Sequence, residues 1–471
     1  MRIPDNQNIY TGGHDTGILV TSNKREEVRK VMALRAISEM SVWDLLAQKD
    51  VAYIESSLGR KNEENKNKKV LELGRRHISN GEEHYVAYTN NILAFLTVNK
   101  TDIVIHSRFC NSDNDLFLYF LLEKVGGMSV THLLSKSGKI SALDLYPYFF
   151  ARLLKNAVSQ GVFKSYVKHS YNDNKVKGYI DVARHIKSNI PFNGKVAYST
   201  REHSEDNHVT QLVRHTIEYM TTNKMWPCMD KETASVVELI CSLTPSYSAS
   251  KRQSIIRQNE TNNAIHPYYD KYKALQQLCL AILKHKRSGY GDDSNHRING
   301  ILIDGAWLWE EYIAHVLKDS FRHYTNKNSH FTLFSETNQR IIPDYISNDY
   351  DESKDFAEAV GDAKYMNLAG KEILQGEQTY SVYYKTIMYM HRFNSKKGFI
   401  FYPMEADAEE KDKSPKVLSI TGTESKIYMC GFRIPKIEAS KDPERFTKFK
   451  SVMENAEREF RTKVSTKLTN N

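Results

Sequence analysis

Two short apolar runs in the last third of the sequence each end on an aspartate. Both lie in RIIPDYISNDYDESKDFAEAVGDAKYM (340–366), where Asp344 closes the first run, Asp362 closes the second, and Lys364 follows two positions later. Residues i and i+2 of a strand point to the same face, so Asp362 and Lys364 are expected side by side. If the two runs pair as a hairpin, Asp344 approaches the same point.

Two carboxylates beside a lysine suit the hydrolysis of a phosphodiester bond. A hard cation such as Mg²⁺ binds carboxylate oxygens and keeps several water molecules. A neighbouring lysine can polarise the attacking water or offset charge on the reacting phosphate. We therefore expect Asp344 and Asp362 to be metal ligands and to form a catalytic set with Lys364. Glu310, at the margin of the apolar stripe of an upstream helix, is a candidate fourth group.

Each of these residues also has an ordinary structural explanation. Asp362 and Lys364 would form a surface ion pair on an edge strand. Asp344 would serve the turn that follows a proline. Glu310 would be a solvated helix residue, and Glu311 beside it is a rival for the site. The catalytic interpretation depends on the strand-like apolar runs that lead into the two aspartates.

The surrounding pattern predicts an α/β domain with a mixed sheet flanked by helices. An amphipathic helix with Asp304 as its N-cap is predicted over 304–321, and a second helix over roughly 380–393. Six strands and a charged closing helix complete the pattern. The predicted strands are FTLFSE (331–336), RIIPDYI (340–346), FAEAVGDAKYM (356–366), GFIFYPM (398–404), KVLSIT (416–421) and IYMCGFRI (427–434).

At 471 residues, the chain is expected to form more than one domain. The Gly- and Asp-rich segment HKRSGYGDDSNHRING (285–300) is the expected linker. It would separate a mixed α+β N-terminal region, 1–284, from the domain over 301–471 that carries the aspartates and the closing helix.

Composition narrows the class of protein. The formal net charge is +9, which fits a nucleic-acid partner without requiring one, and the five cysteines form no close pair, which argues against a disulfide framework or a cysteine zinc site. The polar start lacks the pattern of a signal peptide, and the longest apolar run is far shorter than a membrane span, so a cytoplasmic location is expected. Ile18 stands where a P-loop in GGHDTGIL would need lysine.

Three motifs in order resemble the McrC-type nuclease subunits of McrBC-like modification-dependent restriction systems, in the PD-(D/E)xK superfamily. They are LWEEYIAHVL (308–317), IIPDYI (341–346) and AVGDAKYM (359–366). Segments 90–109 and 178–220 resemble the family's upstream region, so the likeness covers roughly 85–435. One position departs from the family, because Lys385 stands where a glutamine often precedes the tyrosine, here Tyr389.

This resemblance implies a PD-(D/E)xK fold and a Mg²⁺-dependent DNA endonuclease subunit. Asp344, Asp362 and Lys364 would be catalytic and Glu310 accessory. The implied partners are double-stranded, modified DNA and a separate AAA+ GTPase motor, which the N-terminal region would dock on and stimulate. Two alternatives remain open: a PD-(D/E)xK nuclease acting alone in repair or mobile-element processing, and a non-catalytic regulator of a motor.

Overall fold

The computed structural model describes two compact units, which are taken one at a time. The first contains Met1–Ala47, Tyr53–Ala142 and Ser294–Asn471, and the second contains Gln48–Ala52 and Leu143–Asp293. The residues that the structure describes are 1–5, 18–21, 25–47, 50–54, 68–77, 83–99, 101–110, 115–126, 130, 142–226, 229–261, 267–285, 298–324, 331–366, 368, 377–405, 416–437 and 444–469.

The N-terminal part of the first unit is built on two sheets. In the larger sheet, β6 is the middle strand in the order β1–β7–β6–β11–β3, and nearly all of its β-branched, aromatic and aliphatic residues are buried. These five strands are β1 (Arg2–Pro4), β3 (Val51–Ile54), β6 (Ile92–Val98), β7 (Thr101–His106) and β11 (Ile298–Asp304). The smaller sheet has the order β2–β5–β4 and consists of β2 (Ile18–Thr21), β4 (Leu71–His77) and β5 (Glu83–Thr89). Three helices accompany them: α1 (Arg25–Ser38), α2 (Val42–Ala47) and α3 (Leu116–Gly126).

The C-terminal part of the first unit is a six-stranded sheet with helices on both faces. The strand order is β12–β13–β14–β15–β17–β16, in which β14, β15 and β17 are parallel and the other pairs antiparallel. Its elements are α10 (Gly305–Leu317), β12 (Phe321–His323), β13 (Tyr345–Ser347), β14 (Ala359–Ala363), α11 (Glu377–Arg392), β15 (Lys397–Glu405), β16 (Lys416–Ser419), β17 (Lys426–Ile434) and α12 (Arg445–Thr469). The predicted mixed α/β architecture is confirmed.

The two faces of this sheet have different cores. On one face, the Trp309 ring of α10 and the Phe460 ring of α12 both pack on Phe432 of β17, with centroids 6.0 and 5.2 Å away. On the other face, α11 packs on a buried cluster that contains Val360 of β14 and Ile400 of β15. Because α11 joins the parallel strands β14 and β15, its crossover covers the face onto which alternate residues of β14 point.

Two local predictions have different outcomes. Asp304 caps α10 as predicted, with Oδ1 accepting hydrogen bonds from the backbone N–H groups of Ala306 (2.9 Å) and Trp307 (3.2 Å). The predicted strand over 331–336 is wrong, because this segment makes only an isolated bridge between Thr332 and Arg340 and then turns. The strand that pairs with β13 is β12, because the predicted helix over 304–321 ends at Leu317.

The contact-based units differ from the predicted domain order. Residues 1–47 and 53–142 share a unit with the C-terminal sheet, because β11 pairs with β6 along its whole length before leading into α10. Of the predicted linker 285–300, residues 286–297 lie outside the described residues, and 298–300 begin β11.

The second unit combines helices with a small antiparallel sheet in the order β8–β10–β9. Several of its helices begin at capping side chains; Asn207, for example, accepts hydrogen bonds from the backbone N–H groups of Val209 and Thr210 at the start of the helix His208–Thr222. The elements are α4 (Ala142–Val158), β8 (Ser165–Asp173), β9 (Tyr179–Ile180), α5 (Val182–Asn189), β10 (Val196–Ser204), α6 (His208–Thr222), α7 (Lys231–Ser242), α8 (Arg252–Thr261) and α9 (Lys271–His285).

A buried ion pair in the first unit fixes the residue that follows Lys364. Asp5 is fully buried, and its Oδ1 accepts hydrogen bonds from the backbone N (2.7 Å) and Nε (3.3 Å) of Arg108. The Arg108 guanidinium lies 4.5 Å from the ring centroid of Tyr365 and donates to the Tyr365 carbonyl oxygen at 3.3 Å. Gly305 allows this ring to approach, because a Cβ there would lie 2.9 Å from it. The N-terminal sheet and the start of α10 therefore hold Tyr365 in place.

We predict that Arg108→Met destabilises the protein much more than Asp5→Asn and Arg108→Met together. The single change leaves the Asp5 carboxylate buried without its partner, which costs on the order of 3–5 kcal/mol, whereas the double change removes both charges. Urea unfolding of both variants and Asp5→Asn measures the difference. Lys354→Met is the matched control, because the Lys354–Asp351 pair is exposed and worth at most about 1 kcal/mol. A double variant no more stable than Arg108→Met would contradict this account.

Candidate active site

Asp344 and Asp362 lie opposite each other at the ends of two paired strands. The antiparallel register of β13 and β14 pairs Tyr345 with Gly361, and the next pair in the same register is Asp344 with Asp362. Directly opposite residues point to the same face of a sheet. The carboxylate of Asp344 also accepts a hydrogen bond from the backbone N–H of Ala363 at 2.8 Å, and both aspartates are buried. Two like charges are therefore brought together beneath the surface.

Lys364 lies on the face that the i, i+2 spacing predicts. Its backbone N–H donates to the Phe401 carbonyl oxygen at 2.8 Å, which continues the parallel ladder of β14 and β15 by one residue. The Lys364 ammonium group contacts Oδ2 of Asp362, and its side chain is 21% exposed. Lys364 therefore lies between the fully buried carboxylate of Asp362 and solvent.

A second lysine reaches the same carboxylate from helix α11. Lys385 Nζ lies 3.3 Å from Oδ1 of Asp362, so each oxygen of that carboxylate has an ammonium group beside it. Lys385 Nζ also lies 5.3 Å from the ring centroid of Tyr389, one helical turn further on. Sequence analysis identified Lys385 only as a departure from the family pattern. Its contact with Asp362 could not be derived, because it depends on how the crossover helix lies on the sheet.

Glu310 approaches the aspartates from the other side of β13. The Tyr345 hydroxyl donates to the Glu310 carbonyl oxygen at 2.6 Å, and by strand alternation Tyr345 faces away from Asp344. The carboxylates of Glu310 and Glu311 lie 3.7 and 3.9 Å from Nε2 of His323. Since Nδ1 of His323 lies 2.8 Å from the Asp344 carbonyl oxygen, both glutamates reach the site through this ring.

His323 is a neighbour of the site that no sequence pattern indicated. It follows a predicted helix and belongs to no motif. Of the two glutamates, Glu311 is engaged by the Trp307 indole N–H at 3.1 Å. The structure therefore brings Asp344, Asp362 and Lys364 together directly and connects Glu310 to them through His323.

Burial and charge act differently on the two aspartates. Burial, and then the negative charge of Asp362, raise the pKa of Asp344 above its ordinary value. Burial also acts to raise the pKa of Asp362, but the attraction of Lys364 and Lys385 outweighs it, and this pKa lies below its ordinary value. For Lys385, burial acts to lower the pKa, but Asp362 and Asp344 outweigh it and raise the pKa. Asp362 is thus held ionised between two cations. The repulsion between the two carboxylates instead favours the protonated form of Asp344.

The donor set of this cluster fits a divalent cation. Two carboxylates converge from adjacent strands, and hard cations such as Mg²⁺ prefer carboxylate oxygens. Oδ2 of Asp362 is buried and accepts no well-aligned hydrogen bond, although the Lys364 ammonium lies against it. Asp344 and Asp362 are therefore the residues that would hold such an ion.

A second group of potential metal ligands has a structural explanation. Ligand atoms of His106, Cys110 and Asp115 lie within 4.8 Å of one another. The two oxygens of Asp115 accept hydrogen bonds from the backbone N–H groups of Ser107 (2.6 Å) and Leu118 (3.0 Å), at the start of α3. The Arg2 guanidinium lies 3.5 Å from the Cys110 sulfur, where its charge opposes a second cation. We assign this group to helix capping and packing.

The fold and the cluster define a class: a mixed α/β protein with paired aspartates and lysine at the ends of two adjacent strands. The family described as "McrBC 5-methylcytosine restriction system component" matches residues 87–403, more than half of the 471-residue chain. The chain belongs to this family, which confirms the resemblance found in the motifs.

Two solved structures are similar to this chain at low sequence identity. One is the refined half-complex from the tetradecameric assembly of Thermococcus gammatolerans McrB AAA+ hexamers with bound McrC, at 13% identity and a TM-score of 0.46, covering 97% of this chain and 99% of that chain. The other is the cryo-EM structure of the Thermococcus gammatolerans McrBC complex, at 12% identity and a TM-score of 0.30, covering 71% of this chain and 90% of that chain. No curated protein matches the sequence.

None of the helices among the described residues has both the length and the hydrophobicity needed to cross a bilayer.

The opposite pKa directions predict opposite stability effects in metal-free buffer. Asp344 has a raised pKa, so its contribution to stability is present at low pH and lost as pH rises; Asp344→Asn should therefore stabilise the protein at pH 8. Asp362 has a lowered pKa, so its contribution is present above the ordinary carboxyl value and lost as pH falls; Asp362→Asn should destabilise at pH 8.

Denaturant unfolding of both variants at pH 8 and pH 5, with EDTA present, measures these effects. The Asp344→Asn difference should shrink at pH 5, where the raised pKa of Asp344 leaves less of the folded-state penalty. The Asp362→Asn difference should persist at pH 5 and shrink only in a third measurement at about pH 3, below the ordinary carboxyl value. Asp349→Asn, in the exposed turn after β13, controls for the loss of a carboxylate elsewhere. Shifts of the same sign for Asp344→Asn and Asp362→Asn would show that the charge assignment is wrong.

Proposed function

We propose that the chain is the Mg²⁺-dependent DNA endonuclease subunit of a restriction complex that a separate AAA+ GTPase drives. The observation that carries the proposal is the buried convergence of Asp344, Asp362 and Lys364 at the ends of β13 and β14. We assign the six-stranded sheet and its flanking helices to the PD-(D/E)xK nuclease fold. Packing alone gives no reason to place two like charges side by side in the interior, whereas binding a divalent cation does.

In this proposal Asp344 and Asp362 hold the ion and orient the substrate phosphate beside it. When bound, Mg²⁺ supplies Lewis-acid stabilisation of the phosphate and lowers the pKa of a nearby water. Lys364 is the partly exposed cation next to these carboxylates, so its ammonium can hydrogen-bond the attacking water or the phosphate oxygen on which charge develops. Glu310, acting through His323, is the accessory group that supports the backbone of Asp344.

The proposed partners follow from the family description and from the sequence. The family is described as a component of a 5-methylcytosine restriction system, so DNA that carries modified cytosine is the proposed substrate. The stretch GGHDTGIL lacks the lysine of a P-loop, so the nucleotide motor is placed on another polypeptide, and a cytoplasmic complex is proposed. The net charge of +9 is compatible with a polyanionic substrate.

The decisive experiment is a cleavage assay on cytosine-methylated and unmethylated DNA. The full chain is tested with and without a candidate AAA+ GTPase partner, GTP and Mg²⁺. Cleavage should require all three and methylated DNA, and EDTA should abolish it. Cleavage by the chain alone would favour the stand-alone nuclease. Stimulation of the GTPase without cleavage under any condition would favour the non-catalytic regulator.

Asp362→Ala should lower the cleavage rate by at least about 100-fold, because it removes a metal ligand and a site charge. It should leave stimulation of the GTPase intact, because the substitution lies inside the nuclease sheet. Asp351→Ala, in the exposed turn, is the matched control and should cleave like wild type. Wild-type cleavage by Asp362→Ala would sink the site assignment.

Lys364→Ala should slow the chemical step more than it weakens metal binding, since the lysine is assigned to the water and the phosphate. Single-turnover cleavage at saturating Mg²⁺ should fall by about 100-fold. Calorimetric titration with Ca²⁺ should still detect binding at one site. Loss of the binding signal would contradict the role given to Lys364.

A further inference from the structure

Lys385 has a position that neither ordinary packing nor the proposed metal site explains. It places a second ammonium group on Asp362 although Lys364 already contacts that carboxylate. Its side chain is 38% exposed, so the lysine borders both the buried aspartates and solvent. A lysine on this face of α11 could instead extend into water, as exposed lysines usually do.

Tyr389 supports the ammonium group of Lys385 in this position. The Tyr389 ring lies beneath the Lys385 ammonium, with Nζ 5.3 Å from its centroid, and is itself buried. The Tyr389 hydroxyl donates a hydrogen bond to the Ile342 carbonyl oxygen at 3.0 Å, two residues before Asp344. The aromatic support is therefore tied to the strand that carries one of the aspartates, and cation–π attraction favours an ammonium group above it.

The charges of the cluster change when a divalent cation binds. Without the ion, the carboxylates of Asp344 and Asp362 are matched in number by the ammonium groups of Lys364 and Lys385. A divalent cation on the same carboxylates would create an excess of positive charge, which weakens the hold of Asp362 on the two lysines. A phosphodiester carries one negative charge and would compensate part of this excess. The partly exposed Lys385 can then exchange Asp362 for a phosphate oxygen.

We propose that Lys385 is a second catalytic cation, which balances Asp362 before the metal binds and contacts a non-bridging oxygen of the scissile phosphate afterwards. This proposal rests on the proposed nuclease function and goes beyond it, because it assigns a substrate contact to a residue outside the set of Asp344, Asp362 and Lys364. The side chain supplies positive charge opposite Lys364, on the side of Asp362 that faces α11.

The proposal predicts that Lys385→Gln binds metal more tightly but cleaves more slowly. Removing a competing cation beside two carboxylates should raise the affinity for Ca²⁺ by about 3- to 10-fold, because like charges repel at this range. Removing a charge that stabilises the phosphate should lower the single-turnover cleavage rate by about 10- to 100-fold. A purely structural residue would not move the two measurements in opposite directions.

Calorimetric titration of the full chain with Ca²⁺ measures the first quantity. Single-turnover cleavage of methylated DNA by the complex with its GTPase, GTP and saturating Mg²⁺ measures the second. Lys385→Arg should regain part of the cleavage rate, since it restores the cation. Lys396→Gln is the matched control, because Lys396 is 70% exposed and pairs with Glu424 away from the site, and it should match wild type. Lys385→Met, which keeps the apolar stem, replaces Lys385→Gln if that variant unfolds.

Tighter Ca²⁺ binding together with slower cleavage supports the proposal. Metal affinity and cleavage that fall together would assign Lys385 to structure, and no change in either would assign it to the solvated surface; both overturn the proposal while wild type still cleaves. Wild-type protein that neither binds Ca²⁺ nor cleaves would instead overturn the proposed function itself.

Discussion

The site depends on the repulsion between two carboxylates held opposite each other in the interior of a sheet. Asp344 and Asp362 occupy adjacent strand ends, and both are removed from solvent. Such a pair is stable only when cations share its charge, because an unpaired buried carboxylate is expensive to keep ionised. Lys364, just after β14, and Lys385, on α11, supply that charge. The need to neutralise the two carboxylates therefore links the sheet, the crossover helix and the site.

Much of the first unit serves to hold the strand that ends in Lys364. Gly361 lets β14 lie close to its neighbours, since a Cβ there would come within 2.8 Å of the Phe401 ring. Beyond the strand, the Arg108 guanidinium packs on the ring of Tyr365. A buried ion pair with Asp5 holds Arg108 in turn. Residues from the beginning of the chain thus fix the position of a side chain far along it. These contacts, together with the pairing of β11 with β6, join the N-terminal sheet and the site within one folded unit.

What the sequence predicts well are features set by nearest neighbours along the chain. The alternation of strand residues placed Asp362 beside Lys364, and the capping chemistry of Asp304 identified the start of α10. The parts that sequence analysis missed depend on contacts between distant segments. Lys385 reaches Asp362 only because α11 crosses a particular face of the sheet. Residues 143–293 lie between two segments of the first unit, since β6 pairs with β11, some two hundred residues later.

The predicted strand over 331–336 also does not form because of contacts between distant segments. Its apolar letters suit a strand, but Phe331 and Leu333 pack against the α11 side of the core from a loop that makes one bridge. The short strand Phe321–His323 takes the place beside β13, and this brings His323 under the backbone of Asp344. Nε2 of the same ring lies 3.7 Å from the Glu310 carboxylate, so this edge strand links Glu310 to the backbone of Asp344. The positions of His323 and Glu310 beside Asp344 therefore depend on which segment pairs with β13 at the edge of the sheet.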